Sequence, residues 1–215
     1  MNRVILSAST DETILAVTRQ HKLVDLEIEQ QINTEIVGCI YKGVVKNIVP
    51  AVDGIFVDIG IGKNACLRRK DLLNEKRFPT EGSPILAQVI KSDTDMKGAL
   101  ITEKISMFGK YAVTLSGTGY IGVSKKIRQE SVRKRLKEIG KEICAEHMGL
   151  IIRTAAENAD MDEFRKDITR LKEDWDIIQK RFRMEKSPTL LYRESDIIVK
   201  ALRDYVKIGR ASCRE

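Results

Sequence analysis

Residues 41–67 read YKGVVKNIVPAVDGIFVDIGIGKNACL. Two β-branched runs, YKGVVKNIV and GIFVDIG, are broken by PAVD and bounded by Gly54, Gly60 and Gly62. Short apolar runs between Pro and Gly punctuation are strands. Towards the C-terminus, NACLRRKDL, PILAQVIKS and GALITEKI follow, again separated by glycines and short polar loops. Five short strands in roughly 65 residues predict a small barrel of the OB type. In such barrels the second and third strands present aromatic platforms and lysines outward. Phe56 can stack on that face, and Lys42, Lys46 and Lys63 can supply charge. The same spacing equally permits a core Phe56 and solvated lysines.

On the N-terminal side, residues 3–7, 12–18 and 22–28 are three β-like runs with polar turns between them, which predicts a small antiparallel meander. On the C-terminal side, YAVTLSGTGYIGVSKKI (111–127) holds a strand or two. Val132, Leu136, Ile139 and Ile143 then recur at helical spacing. MGLIIRTAAE (148–157) reads as a buried strand that ends in a guanidinium, Arg153, beside a hydroxyl, Thr154. Phe164, Ile168, Leu171, Trp175, Ile178 and Phe182 form the strongest helical stripe in the chain. Asp160 is its predicted N-cap and Glu163 a box-like partner. Because these aromatics share one stripe, they are assigned to the core and not to a stacking platform. TLLYRES is a last strand, and SDIIVKALRDYV begins a helix capped by Ser195.

The chain has 215 residues, 42% apolar and 32% charged, with a formal charge of +7 and a pI near 9.2. That composition excludes a disordered chain and favours a polyanionic partner. Residues 121–143 carry eight Lys/Arg against three Glu, a net +5 of the total. Lys125 and Lys126 sit in a turn within this segment. Arg133, Lys134, Arg135 and Lys137 are placed on the outer face of the helix, where they either contact a backbone or form a solvated surface paired with Glu138 and Glu142. The N-terminus lacks a signal-peptide h-region, and no stretch approaches the ~18 apolar residues of a membrane span. Cys39, Cys66, Cys144 and Cys213 lie far apart with no CxxC, as expected of reduced thiols in a cytoplasmic protein. His21 and His147 have no partner at a catalytic spacing. Asp58, Asp93 and Asp95 are assigned to a strand pattern and a solvated turn, not to a metal.

The stretch from YKG to FVDIG resembles the S1 domain of the ribonuclease E/G family. The resemblance continues in order through KGALITEKISMFGKYAV (97–113), GVSKKI (122–127), GLIIRTAA (149–156), the Trp175 helix and ESDIIVKALRDYV (194–206). It implies an α+β multi-subdomain fold. Residues 1–36 would be part of an RNase H-like subdomain, 37–118 an inserted S1 (OB-fold) barrel, 119–200 a 5′-sensor subdomain, and 201–207 the start of the returning RNase H-like segment. It implies an endoribonuclease that binds single-stranded RNA, senses a 5′-monophosphate and cleaves by metal-dependent hydrolysis. Phe56 matches the S1 stacking residue, whereas Ile59 and Cys66 stand where aromatics are otherwise found. Lys97 matches the lysine of the KG motif. Gly109 and Val113 would line the sensor pocket, and Arg153 with Thr154 would bind the phosphate.

The same resemblance implies Mg2+ and Zn2+ sites, and homo-oligomer formation, in parts of the family that follow later. The portion in hand is therefore expected to bind RNA without cutting it. A non-catalytic S1-type RNA-binding or ribosome-associated protein is the alternative. The short barrel loop 73–83 leans towards the G branch. Residues 208–215, IGRASCRE, match one frame of a common sequencing adapter and are expected to be an artefact tail, with the natural chain continuing past Lys207.

Overall fold

The sequence folds into two units, one from residues 1–35 with the segment after 194, the other from residues 36–194. The computed structural model describes residues 2–9, 12–30, 36–94, 97–144, 148–193, 199 and 201. Asp95, His147, Cys213, the 208–215 tail and all of the final helix except Val199 and Ala201 lie outside the described residues.

In the first unit, β1 (Asn2–Ala8), β2 (Glu12–Arg19) and β3 (Lys22–Gln30) form the expected antiparallel meander in the order β1-β2-β3. The β2–β3 connection is a two-residue turn, with Gln20 and His21 both at positive φ (50° and 65°). Such a turn matches the twist of its flanking strands. His21 is therefore a turn residue. Leu15, Val17 and Ala201 make this unit's core, with Val4 against them.

In the second unit, β4 (Ile40–Val49), β5 (Gly54–Asp58), β6 (Ala65–Arg68), β7 (Pro84–Lys91) and β8 (Leu100–Thr102) occupy the five predicted segments. They close into a barrel, with β4 on β5, β5 on β6, β6 parallel to β8, β8 on β7, and β7 back on β4. This is an OB/S1-like arrangement, and closure removes the free edges. Period-two alternation sets the interior, where Ile55, Val57, Ala65 and Leu67 are fully buried. A register shift between Val45 and Asn47 lets the long β4 serve β7 with one half and β5 with the other.

Past the barrel, β9 (Ser106–Phe108), β10 (Ala112–Ser116), β11 (Ile121–Val123) and β12 (Met148–Ile152) form a second sheet in the order β11-β12-β10-β9. Strands β9 and β10 fall inside the 37–118 span, yet their hydrogen bonds run to this sheet. Helices α1 (Glu130–Ile143) and α2 (Met161–Met184) pack on one face of it. Their buried stripe includes Leu136, Ile139, Phe164, Ile168, Leu171 and Ile178, close to the stripes read from spacing. Asp160 caps α2 as expected, accepting the Asp162 and Glu163 amides at 2.8 and 3.3 Å. The carboxylate of Glu163 does not complete a capping box. It accepts a hydrogen bond from the Tyr111 hydroxyl at 2.5 Å.

The chain then returns to the barrel as β13 (Thr189–Tyr192), antiparallel to the start of β4. Lys42, on β4, closes this junction. Its Nζ donates to the carbonyls of Phe182 and Glu185 at 2.7 and 2.6 Å and lies 5.0 Å from the Phe182 ring centroid. The last carbonyls of a helix lack intrahelical donors and favour a cation. Arg181 adds hydrogen bonds to the Leu190 and Leu191 carbonyls and to Glu185. Gln88, 5% exposed, joins barrel and sheet. It donates to Gly38 and Ser106 carbonyls at 2.9 and 2.8 Å and accepts the Ser106 amide at 2.8 Å, so a buried amide is satisfied.

Lys42→Met keeps the apolar stem and removes the ammonium. It is expected to lower the stability of this unit by about 2 kcal/mol, the scale of hydrogen bonds to a charged donor. Urea unfolding followed by Trp175, the single tryptophan and a residue of α2, measures it. An unchanged midpoint would show that the ammonium contributes nothing there.

Candidate functional site

On the barrel, Phe56 points outward and is half-buried. Its cross-strand neighbours are Asn47 on β4 and Cys66 on β6, and Cys66 in turn faces Leu100 on β8. Burial pushes the Cys66 thiol up. Ile59 is 1% exposed and belongs to the barrel core, so it adds nothing to the face. Lys46 lies at the edge of this face, 3.4 Å from Asp58. Lys63 donates to the Thr94 carbonyl at 2.9 Å, which brings its loop to the turn that carries the exposed Lys97. Gly98 is required there, because a Cβ would stand 2.0 Å from the Asn64 carbonyl oxygen. Lys42, read from sequence as part of this face, does not join it. Its charge is held by the C-terminal carbonyls of α2.

The second sheet gathers the other predicted group. Arg153 follows β12 directly, with its amide on the Tyr111 carbonyl at 2.8 Å. Its Nη1 donates to the Gly109 carbonyl at 2.7 Å. The Thr154 hydroxyl lies 3.1 Å from that of Ser124, on the exposed surface. Ser124 opens the turn that carries the exposed Lys125 and Lys126. Arg153, Thr154, Gly109, Lys125 and Lys126 therefore converge at one end of the sheet. Val113 sits lower on it, opposite Ile151.

Gly109 contributes space. Its N–H is committed to the Ala112 carbonyl at 2.8 Å, and a Cβ would meet Asp167 Oδ2 at 2.4 Å and Leu171 Cδ1 at 2.8 Å. Asp167, 9% exposed, accepts the Tyr111 amide at 2.8 Å and pairs with Arg170 at 3.3 Å. With Glu163 on the Tyr111 hydroxyl, α2 thus holds loop 109–111 by two carboxylates. The Tyr111 phenol is pushed up to about 12, by burial first, then by its bond to Glu163 and the charges of Glu163, Asp167 and Asp160.

Of the basic residues in α1, Arg133 is turned inward. Its guanidinium donates to the Ser124 and Ile127 carbonyls at 2.7 and 3.0 Å and lies 3.7 Å from Glu130. It braces the Ser124 turn, whereas Lys134, Arg135 and Lys137 are exposed. Ser124, Asp167 and Tyr111 carry no motif of their own. Only the basic GVSKK turn hinted at Ser124. Among the described residues no three of His, Cys, Asp and Glu come together as metal ligands, and no helix is long and apolar enough to cross a membrane.

A family model described as the ribonuclease E/G family matches residues 106–212. The chain is 32% identical over 219 residues to ribonuclease G of Escherichia coli strain K12, covering 94% of this chain and 45% of that protein. It is 31% identical over 224 residues to ribonuclease E of Buchnera aphidicola subsp. Schizaphis graminum, covering 96% of this chain and 23% of that protein. Ribonuclease E of Synechocystis sp. strain PCC 6803 is 34% identical over 188 residues, 83% of this chain and 28% of that protein. The chain thus spans about half the length of its ribonuclease G relatives.

The Tyr111–Glu163 bond yields a pH test. A raised phenol pKa means that the neutral hydroxyl is the folded-state partner. Its contribution is complete below the ordinary value of 10.0 and is lost as pH rises through about 12. Tyr111→Phe is expected to be less stable than the parent by about 1 kcal/mol at neutral pH, with the gap closing and then reversing between pH 10 and 12. Urea midpoints of both proteins across that range measure it. A gap that stays constant would assign the loss to another group.

Proposed function

The chain belongs to the ribonuclease E/G family, and from that premise we propose that it is the RNA-handling portion of an endoribonuclease. The barrel, within 37–118, holds single-stranded RNA. The α+β part, within 119–200 and completed by β9 and β10, senses a 5′-monophosphate. Residues 1–36 and 201–207 belong to an RNase H-like subdomain. Cleavage by metal-dependent hydrolysis, with magnesium, is assigned to the length of the relatives that this chain does not span.

One observation carries the sensor reading, the convergence of Arg153, Thr154, Ser124, Lys125 and Lys126 at one end of a sheet. A terminal monophosphate carries close to two charges and three strong acceptor oxygens. A guanidinium offers a planar fork of donors suited to it, and hydroxyls add neutral donors. The Gly109 carbonyl holds the guanidinium in place before ligand arrives, which lowers the ordering cost of binding. Lysines in the adjoining turn attract the following phosphates without reading sequence. On the barrel, Phe56 offers a face to bases, with Lys46, Lys63 and Lys97 around it.

Fluorescence anisotropy with short single-stranded RNA tests this. The chain is expected to bind 5′-monophosphorylated RNA at least tenfold more tightly than 5′-hydroxyl RNA, and Arg153→Ala to abolish that ratio. Equal affinities in the parent would sink the sensor reading. Phe56→Ala is expected to weaken both RNAs by one common factor of roughly tenfold. A loss confined to the phosphorylated RNA would overturn the division of labour between barrel and sheet.

A further inference from the structure

We infer that the cleft between the barrel, the second sheet and α2 takes a guanine base of the RNA. The inference rests on the reading that the barrel holds single-stranded RNA. The cleft has a volume of about 330 Å³, at the small end of ligand sites. Strand direction builds it. Strands β6 and β8 run parallel, so their C-terminal ends lie at the same end of the barrel. Leu73 follows the one and Glu103 the other. The Glu103 amide donates to the Asp71 carbonyl at 2.9 Å, and the Leu73 amide to the Glu103 carboxylate at 2.9 Å. Gly117, just past β10 at φ 71°, faces them across the cleft, and a Cβ there would stand 2.6 Å from Leu73 Cδ2. Trp175 and Gln179, one turn apart on α2, complete the lining with Leu86 of the barrel. The Trp175 ring packs against the core as its stripe requires, yet it is only half-buried.

The polar groups of the cleft select the occupant. The Ser116 hydroxyl is spent, since it accepts the Ile105 amide at 2.9 Å and donates to the Glu103 carbonyl at 3.2 Å. The Gln179 side-chain amide and the Trp175 indole N–H make no hydrogen bond among the described residues. The Glu103 carboxylate accepts the Leu73 amide and keeps acceptor capacity on both oxygens. Burial pushes its carboxyl up, and the Leu73 bond offsets this only in part. This carboxylate repels a phosphate but suits a base, which is read by stacking on an aromatic ring and by hydrogen bonds to its edge. Guanine has two adjacent donors, N1–H and N2–H, that match the two oxygens of a carboxylate. Gln179 offers a donor for guanine O6, and the leucines and Trp175 offer apolar walls. The cleft also adjoins the outer row of the barrel, which runs from Phe56 to Cys66 to Leu100. Glu103 lies three residues past Leu100, no more than roughly 10 Å of chain. An RNA lying on Phe56 therefore has a base within reach of the cleft a few nucleotides away.

The test uses the chain with 5′-hydroxyl oligouridine, which leaves the phosphate sensor out, carrying one internal guanosine, inosine or adenosine, or none. Guanosine RNA is expected to bind about tenfold more tightly than all-uridine RNA, with inosine, which lacks the N2 donor, in between and adenosine close to uridine. Trp175 is the single tryptophan, and its fluorescence should be quenched by guanosine RNA at the same midpoint. Glu103→Gln can still accept the Leu73 amide but offers one oxygen. It should erase the guanosine advantage and leave the affinity for all-uridine RNA unchanged, with its urea midpoint checking that the fold is intact. An advantage that survives Glu103→Gln, or one that is absent from the parent while RNA still binds, overturns the inference alone. Failure of the parent to bind any of these RNAs overturns it together with the barrel reading. Free guanosine monophosphate that quenches Trp175 as tightly as guanosine RNA would overturn RNA as the source of the base.

Discussion

The ammonium of Lys42 on the last carbonyls of α2 ties the second unit together. It lies on a barrel strand and satisfies Phe182 and Glu185, at the end of a 24-residue helix whose buried face covers the second sheet. A helix end leaves carbonyls without donors and carries partial negative charge. A lysine from a neighbouring element resolves both at once. Strand β13 can then return to pair with β4, and Arg181 can reach the Leu190 and Leu191 carbonyls. Barrel and sheet are thereby joined through a rigid strut as well as through the chain between them.

The same helix sets the candidate site from its other end. Asp167 and Glu163 hold loop 109–111, and that loop presents the Gly109 carbonyl to Arg153. Two carboxylates and a guanidinium thus hold the loop by an amide, a hydroxyl and a carbonyl. Asp167 leaves no room for a side chain at position 109, so the glycine is demanded by packing against α2. A site built this way is stiff before ligand arrives. Such stiffness suits the proposed discrimination between a terminal phosphate and a hydroxyl.

Much of this was legible in the sequence. The five barrel strands follow from period-two runs with glycine and proline breaks, and both long helices from their apolar stripes. Asp160 was visible as an N-cap because capping is local. Strand β9 was not legible, since three residues carry no period. It exists because β10 offers it an edge. Arg153 and Thr154 stand out as polar residues closing a buried run, and family resemblance supplies the role proposed for them. Asp167 was hidden among the charged residues of α2, where nothing local distinguishes it from a solvated one. Lys42 and Arg133 are unmarked for the same reason. A basic residue on a strand or helix face looks solvated until the carbonyls it serves are known.

What the sequence determined by itself, then, is periodicity and punctuation. These fix which segments are strands or helices, which face of each is buried, and where the backbone must turn, because such preferences depend on near neighbours along the chain. Tertiary structure alone decided the destination of each charge. Lys42 went to a helix end 140 residues away, Asp167 to a loop amide 56 residues back, and Arg153 to a carbonyl 44 residues back. Electrostatic partners are chosen by proximity in space and by the desolvation of what surrounds them. Both are set only once the strands and helices have packed.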